Sequence, residues 1–202
     1  VTSRKWVYLF LTTLLIGGIS NIFVGFAVMW DKYAPLFIAV DIVEILSVGI
    51  WLLGVGFIFS LISQAGFFAY LTVHRIGLGM FRSLWSPVQI VLIAFVLFDL
   101  VYFRYQSFAN GEDGIFKYII PAALLLIYGV IIAYRKMKET NKGAFIPALF
   151  FMVAVTIIEW VPALRADDQA WLLLMIFPLL ICNTWQLLIL HKLNDRRPQK
   201  SS

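Results

Sequence analysis

The sequence predicts an all-α, polytopic membrane protein with six transmembrane helices and both termini cytoplasmic, and three observations predict it. Of the 202 residues, 62% are hydrophobic and 13% are charged, with a mean hydropathy of +0.91, which is too apolar for a soluble domain. The apolar residues fall into six runs long enough to cross about 30 Å of hydrocarbon, roughly 20 residues each. The basic residues gather in alternate connections. Arg4, Lys5, Arg75, Arg82, Arg135, Lys136, Lys138, Lys142, Lys192, Arg196, Arg197 and Lys200 share one side, leaving Lys32, Arg104, Lys117 and Arg165 opposite. The positive-inside rule makes the richer side cytoplasmic. The expected organisation is a single six-helix transmembrane domain over residues 1–192, followed by a hydrophilic cytoplasmic tail over 193–202.

The first run, Trp6 to about Met29, follows Arg4 and Lys5 and has no small-x-small cleavage pattern after it, so it reads as an uncleaved span. Gly17, Asn21 and Gly25 recur every four residues on one face and predict a close helix contact. Trp30 to Asp41, with Asp31, Lys32 and Pro35, reads as a short loop. The second span, about Val43 to Thr72, exceeds what a bilayer needs and predicts tilt. Val73 to Pro87 is basic through His74, Arg75 and Arg82 and apolar through Phe81 and Trp85, a mixture suited to the lipid surface or to docking a partner.

The third span, Gln89 to Gln106, ends in a polar turn, Phe108 to Gly114, in which Asn110 and Gly111 supply the turn chemistry. The fourth runs from about Ile115 to Tyr134 and the fifth from about Ala144 to Leu164. The sixth runs from about Gln169 to Leu190 and carries Asn183 and Gln186 one helical turn apart. Pro162 predicts a kink beside Glu159, because it frees the carbonyl of Ile158. Arg165, Asp167 and Asp168 form the loop between the last two spans.

The net charge of +5 lies between the hydrophobic runs instead of on one face, which points to the bilayer and not to nucleic acid. Cys182 is the single cysteine, and His74 and His191 stand apart without a metal-ligand motif. No disulfide, metal site or cofactor is expected. Nothing supplies an esterase elbow or a paired-aspartate signature, so an enzyme is not expected either.

Asp99 and Glu159 are the residues that demand a reason, because a carboxylate within hydrocarbon must find a donor, a cation, water or a proton. At about 1.5 Å per residue both fall in the outer half of the bundle, with Asn21 at comparable depth and Glu44 shallower. The expected ligand site is an outward-facing acidic recess of Asp99, Glu159, Asn21 and Glu44, with Arg104 and Arg165 as counter-charges and Tyr102 near the interface. The spacings Asp99 to Arg104 and Glu159 to Arg165 put neither pair on one helical face, so partners on other helices are expected. Arg75, Arg82, Phe81 and Trp85 are the expected partner-binding set at the inner end. Gln64, Gln89, Asn183 and Gln186 read as interhelical glue.

Four blocks, GFFAYLTVHRIGLGMFRSLW, QIVLIAFVLFDLVYFRYQ, FIPALFFMVAVTIIEWVPALR and LLICNTWQLLILHKLN, give the chain a resemblance to the KinB-signalling pathway activation (KbaA) family of spore-forming bacteria. The resemblance covers nearly the whole chain. It implies a multi-pass protein of the bacterial cytoplasmic membrane that promotes signalling through a KinB-like sensor histidine kinase into the sporulation phosphorelay. It carries over no ligand or catalytic residue. With it goes the expectation of a regulator whose recess takes a small molecule or a lipid. The alternative is a small ion- or proton-coupled solute transporter, which acids and kinking prolines would suit, although no inverted repeat is visible.

Overall fold

The computed structural model describes residues 3–108, 114–166 and 168–194. The expected turn residues Asn110 and Gly111, the loop residue Asp167 and the tail from 195 onward lie outside the described residues. The described chain is all-α: α1 (Ser3–Val28), α2 (Trp30–Ile38), α3 (Ile42–Phe81), α4 (Trp85–Phe108), α5 (Phe116–Glu139), α6 (Phe145–Phe150), α7 (Thr156–Leu164) and α8 (Gln169–Asn194). Among the described residues, five stretches are long and apolar enough to cross a membrane: Ser3–Val28, Ile42–Phe108, Phe116–Glu139, Lys142–Leu164 and Gln169–Leu193. Ile42–Phe108 folds back at Arg82 into α3 and α4, so the bundle consists of six rods with the short α2 beside them.

The fold-back is fixed by a small number of contacts. Arg82 takes a positive φ of 49°, and a 3₁₀ turn over Arg82–Leu84 leads into Trp85. The indole of Trp85 lies flat against Gly77, where an added Cβ would meet ring carbons at 2.5 Å, and its Nε1 donates to His74 Nδ1 at 3.0 Å. Gly66 touches Glu159 while Tyr70 donates to the Pro147 carbonyl at 3.1 Å, so α3 runs antiparallel to the rod containing α6 and α7. Trp85 lies beside Phe150, and α4 then passes α6 and α7 in the same direction as they run.

Two expectations are corrected by the structure. The segment Val73–Pro87 is not an element of its own: Val73–Phe81 continues α3, whose 40 residues reach about 60 Å, twice the hydrocarbon thickness. The basic residues His74 and Arg75 mark an end of the apolar run and not an end of the helix, because nothing in their backbone chemistry stops helical hydrogen bonding. Nor is Trp30–Asp41 a loop. Its first nine residues form α2, held by edge-to-face packing of Tyr33 and Phe37 on Phe26 and by Asp31 in the first turn, where a negative charge favours the helix dipole. α2 ends in a Schellman arrangement: Asp41 N–H bonds the Leu36 carbonyl at 3.0 Å, Val40 N–H bonds that of Phe37 at 3.3 Å, and Val40 takes the left-handed φ of 53°.

α1, α3 and α8 pack together, and the spacing-four face of α1 is where they meet. A Cβ on Gly17 would meet Ser60 Cβ at 2.6 Å and Cys182 Sγ at 2.9 Å. One on Gly25 would meet Leu52 at 2.3 Å, and one on Gly56 would meet Asn21 Cβ at 2.6 Å and the Gly17 carbonyl at 2.7 Å. Helix axes this close are possible only because the side chains are missing, which is how small residues drive helix association in lipid. The rod Lys142–Leu164 forms the centre, with 67% of its most apolar stretch buried against 22% for Ile42–Phe108. It is interrupted by a π-helical segment, Phe151–Val155, which inserts about one extra residue and rotates the next turns by roughly 100° relative to an unbroken α-helix. The irregularity thus precedes Glu159 by a turn, whereas Pro162 sits inside α7 and leaves that helix continuous through Leu164.

At one end of the bundle the last turns of α8 are held by lysines from two neighbours. Lys5 donates to the Leu193 carbonyl. Lys136 donates to that of Leu187 at 2.7 Å and lies 3.1 Å from His191 Nδ1. Cations at carbonyls near a helix C-terminus complement its dipole. These contacts also place the first turn of α1 and the last turn of α8 at the same end, as an even number of rods requires.

Candidate functional site

Glu159 on α7 is 5% exposed and stands in a chain of polar side chains that joins three rods. Asn183 Nδ2 on α8 donates to Glu159 Oε2 at 2.7 Å and to Thr156 Oγ1 at 2.9 Å. Ser63 Oγ on α3 donates to Asn183 Oδ1 at 2.6 Å, and Gln186 Nε2 donates to Ser63 Oγ at 2.7 Å. Thr156 and Glu159, three residues apart, share a face of α7, as Asn183 and Gln186 do on α8. Glu159 Oε1 rests on Gly66, where a Cβ would come within 1.9 Å of it, and it has no hydrogen-bond partner among the described residues. Any side chain larger than hydrogen at position 66 would displace the carboxyl group. A second cluster lies one step along the same seam: Gln64 donates to Ser60 Oγ at 3.3 Å, Ser60 to the Thr13 carbonyl at 2.9 Å, and Asn21 to the Leu52 carbonyl at 2.7 Å.

The residues nominated for an acidic recess are placed apart. Asp99 on α4 is half-buried, and among the described residues no hydrogen bond or ion pair reaches it. Asn21 is fully buried in the α1–α3 seam. Glu44 is exposed, its backbone N–H bonded to the Asp41 side chain that caps α3. Tyr102 is exposed and stacks on Phe98, and Arg165 is exposed beyond the end of α7. Of the seven, Arg104 lines a cavity of about 700 Å³ between α4, α5 and α8 at the end of the bundle away from residues 5 and 193. Lys117, Tyr118 and Gln169 share its mouth, and neither Asp99 nor Glu159 borders it.

Of the inner set, Arg75 and Arg82 are exposed and Phe81 is exposed while stacked on Trp85. Trp85 is 4% exposed, so its ring holds the α3–α4 turn together and is not presented to a partner. Of the glue residues, Asn183 and Gln186 bond across helices as expected, whereas Gln64 bonds Ser60 within α3 and its Oε1 is unpaired among the described residues. Gln89 is buried with neither amide atom paired among the described residues. Sequence reasoning missed Ser63, Gly66 and Thr156 in the network and Lys117 and Gln169 at the cavity. The three-residue spacings Ser63–Gly66 and Thr156–Glu159 were the available signal.

A family model described as KinB-signalling pathway activation in sporulation, KbaA, matches residues 17–193. The chain belongs to the KbaA family. It is 46% identical over 192 residues to the KinB-signaling pathway activation protein of Bacillus subtilis (strain 168), an alignment covering 94% of this chain and 97% of that relative. No solved structure matches it. The KbaA assignment makes the chain a regulatory protein of the KinB pathway and not an enzyme, and its long apolar helices make it an integral membrane protein. The matched region includes the Glu159–Asn183–Ser63 network and the cavity.

Proposed function

We propose that this KbaA-family chain is a six-pass protein of the bacterial cytoplasmic membrane, with both termini inside, that raises the output of a KinB-like sensor histidine kinase by adopting one of two helix arrangements. The orientation is supported by the basic residues Arg4, Lys5, Arg75, Arg82, Arg135, Lys136, Lys138, Lys142 and Lys192, which gather towards the end that carries residues 5 and 193. The single observation that carries the mechanism is the position of Glu159. Its carboxyl group is tied through Asn183 to α8 and through Ser63 to α3, with one oxygen left without a donor among the described residues. A proton, or a donor brought by a shifted helix, alters contacts on three rods at once, and that differential interaction is what a two-state regulator requires. The exposed Arg75, Arg82 and Phe81 at the far end of α3 are the surface on which a kinase would read the change.

The test is complementation of a sporulating strain that lacks its own family member. Asn183→Leu and Glu159→Gln are expected to lower kinase-dependent reporter output by about tenfold at unchanged membrane abundance, equivalent to a shift of roughly 1.4 kcal/mol between the two states. Unchanged output from both variants would overturn the network as the switch. Unchanged output after neutralising Arg75 and Arg82 would overturn the docking surface. Solute flux through proteoliposomes of purified protein, abolished by Glu159→Gln, would favour a transporter instead.

A further inference from the structure

At the end of the bundle away from residues 5 and 193, α2 presents more apolar surface than its neighbours cover. Tyr33 and Phe37, four residues apart, pack on Phe26 of α1. The next row round the helix, Trp30, Ala34 and Ile38, has the same spacing and lies open: Trp30 stacks on Phe37 yet is 52% exposed, and Ile38 is 82% exposed. Lys32 projects from the far side, its ammonium 5.3 Å from the centre of the Tyr33 ring, and Asp31 borders the row in the first turn. A helix that is apolar over more than half of its circumference and charged on the remainder is built to lie in the plane of a membrane surface.

The apolar surface does not end with α2. Val40 and Ile42 are exposed in the turn, and Val43, Leu46 and Ile50, spaced by three and four, form an exposed face of α3 that continues past Ile58 towards mid-bundle. That is a face α3 turns to hydrocarbon, so the patch at the turn is continuous with surface that lipid already covers. Depth agrees. Gly25 meets Leu52 and Asn21 meets Gly56, so Val28 is level with about Gly49, and α3 begins roughly 10 Å beyond the end of α1. The interfacial layer outside the hydrocarbon is about 5–8 Å deep on each side. α2 packs on the end of α1 and on α3, which puts it in the layer where Trp and Tyr settle. We propose that α2 and the α2–α3 turn are inserted in the membrane surface at this end, with Trp30, Ile38 and Val40 at the acyl-chain boundary and Lys32 in water. The segment is then an anchor that fixes the depth of α1 and α3, and its partner is the lipid surface. The proposal rests on the bundle lying in a bilayer and is independent of the kinase reading.

The experiment is power-saturation electron paramagnetic resonance of the full-length chain in vesicles of phosphatidylcholine and phosphatidylglycerol, with a nitroxide on one introduced cysteine at a time. Ile38→Cys and Val40→Cys report on the patch, Lys32→Cys on the far side of α2, and Ile58→Cys on hydrocarbon. All four positions are exposed, so the label displaces no packed side chain, and the unaltered chain with its buried Cys182 supplies the background. The labels at 38 and 40 are expected to have a several-fold higher ratio of oxygen to nickel-chelate collisions than the label at 32, approaching that at 58. Nickel access at 38 and 40 equal to that at 32 would overturn the proposal, because the turn would then stand in water. Exclusion of both reagents would overturn it as well, because a second copy or another protein would then cover the patch. Shielding of position 58 from nickel in the same vesicles shows that the bundle is inserted whichever result is found at 38. No kinase is present in the measurement, so its failure leaves the regulatory reading standing.

Discussion

The α1–α3–α8 seam and the α4–α5–α8 cavity are built from one shared helix and differ in what it faces. On the seam, Cys182, Asn183 and Gln186 of α8 meet Gly17, Ser60 and Ser63, and the small residues let polar groups reach one another directly. On the cavity side, Ile176 and Leu180 of α8 meet Leu125 and Tyr128 of α5 across a gap. The lesson is that side-chain size at the contact, more than hydropathy, decides whether two apolar helices close or stay parted, since lipid offers no hydrophobic penalty for either outcome.

The largest effect is expected from a side chain placed in the seam. Gly56→Leu meets backbone of α1, which cannot rotate away, and is expected to destabilise the bundle by about 3 kcal/mol. Gly54→Ala, two residues earlier with nothing within 4 Å of the added carbon, is expected to be neutral or to stabilise by up to about 1 kcal/mol. Thermal melting of the two purified variants in one detergent compares them; equal loss would show that helix propensity and not contact governs α3. Next, Asn183→Leu removes the partner of Glu159, Thr156 and Ser63 together and is expected to cost about 1–2 kcal/mol by the same measurement. On the cavity side, Tyr128→Phe removes one hydrogen bond at a partly exposed site, for an expected loss of about 0.6 kcal/mol. A loss as large as that of Asn183→Leu would mean that the two sides are held equally tightly. Smallest is Val40→Gly, which relieves a β-branched residue at positive φ outside both regions and, once glycine's greater freedom when unfolded is set against that relief, is expected to gain less than about 0.5 kcal/mol.

Much of this contrast was legible in the sequence, and the part that was not has a physical cause. The six rods come from run length, and the seam comes from Gly17, Asn21 and Gly25, because a spacing of four is itself a statement about one helical face. Glu159 announced itself as an acid in an apolar run. Its partner did not, because the sequence gives no azimuth across the π-helical segment at Phe151–Val155, which precedes Glu159 and helps set the face that it turns towards Asn183 and Gly66. Asp99 and Glu159 looked equivalent by depth alone, and depth carries no azimuth. α2 was hidden for a different reason: Asp31, Lys32 and Pro35 read as a loop, and only tertiary contacts of Tyr33 and Phe37 with Phe26 hold the segment helical. The cavity was invisible because a void is a property of two helices and no residue encodes it singly.

The uninterrupted run of α3 past Thr72 has a mechanical corollary. Fifteen residues, about 22 Å, separate Gly66 at the Glu159 carboxyl from Phe81. A rod that long works as a lever: tilting it by about 10° around Gly66 sweeps Phe81 and Arg82 sideways by roughly 4 Å. Displacements of that size are ones that packed interfaces register as discrete alternatives, so a change confined to one oxygen atom in mid-bundle has the reach to be felt at the surface.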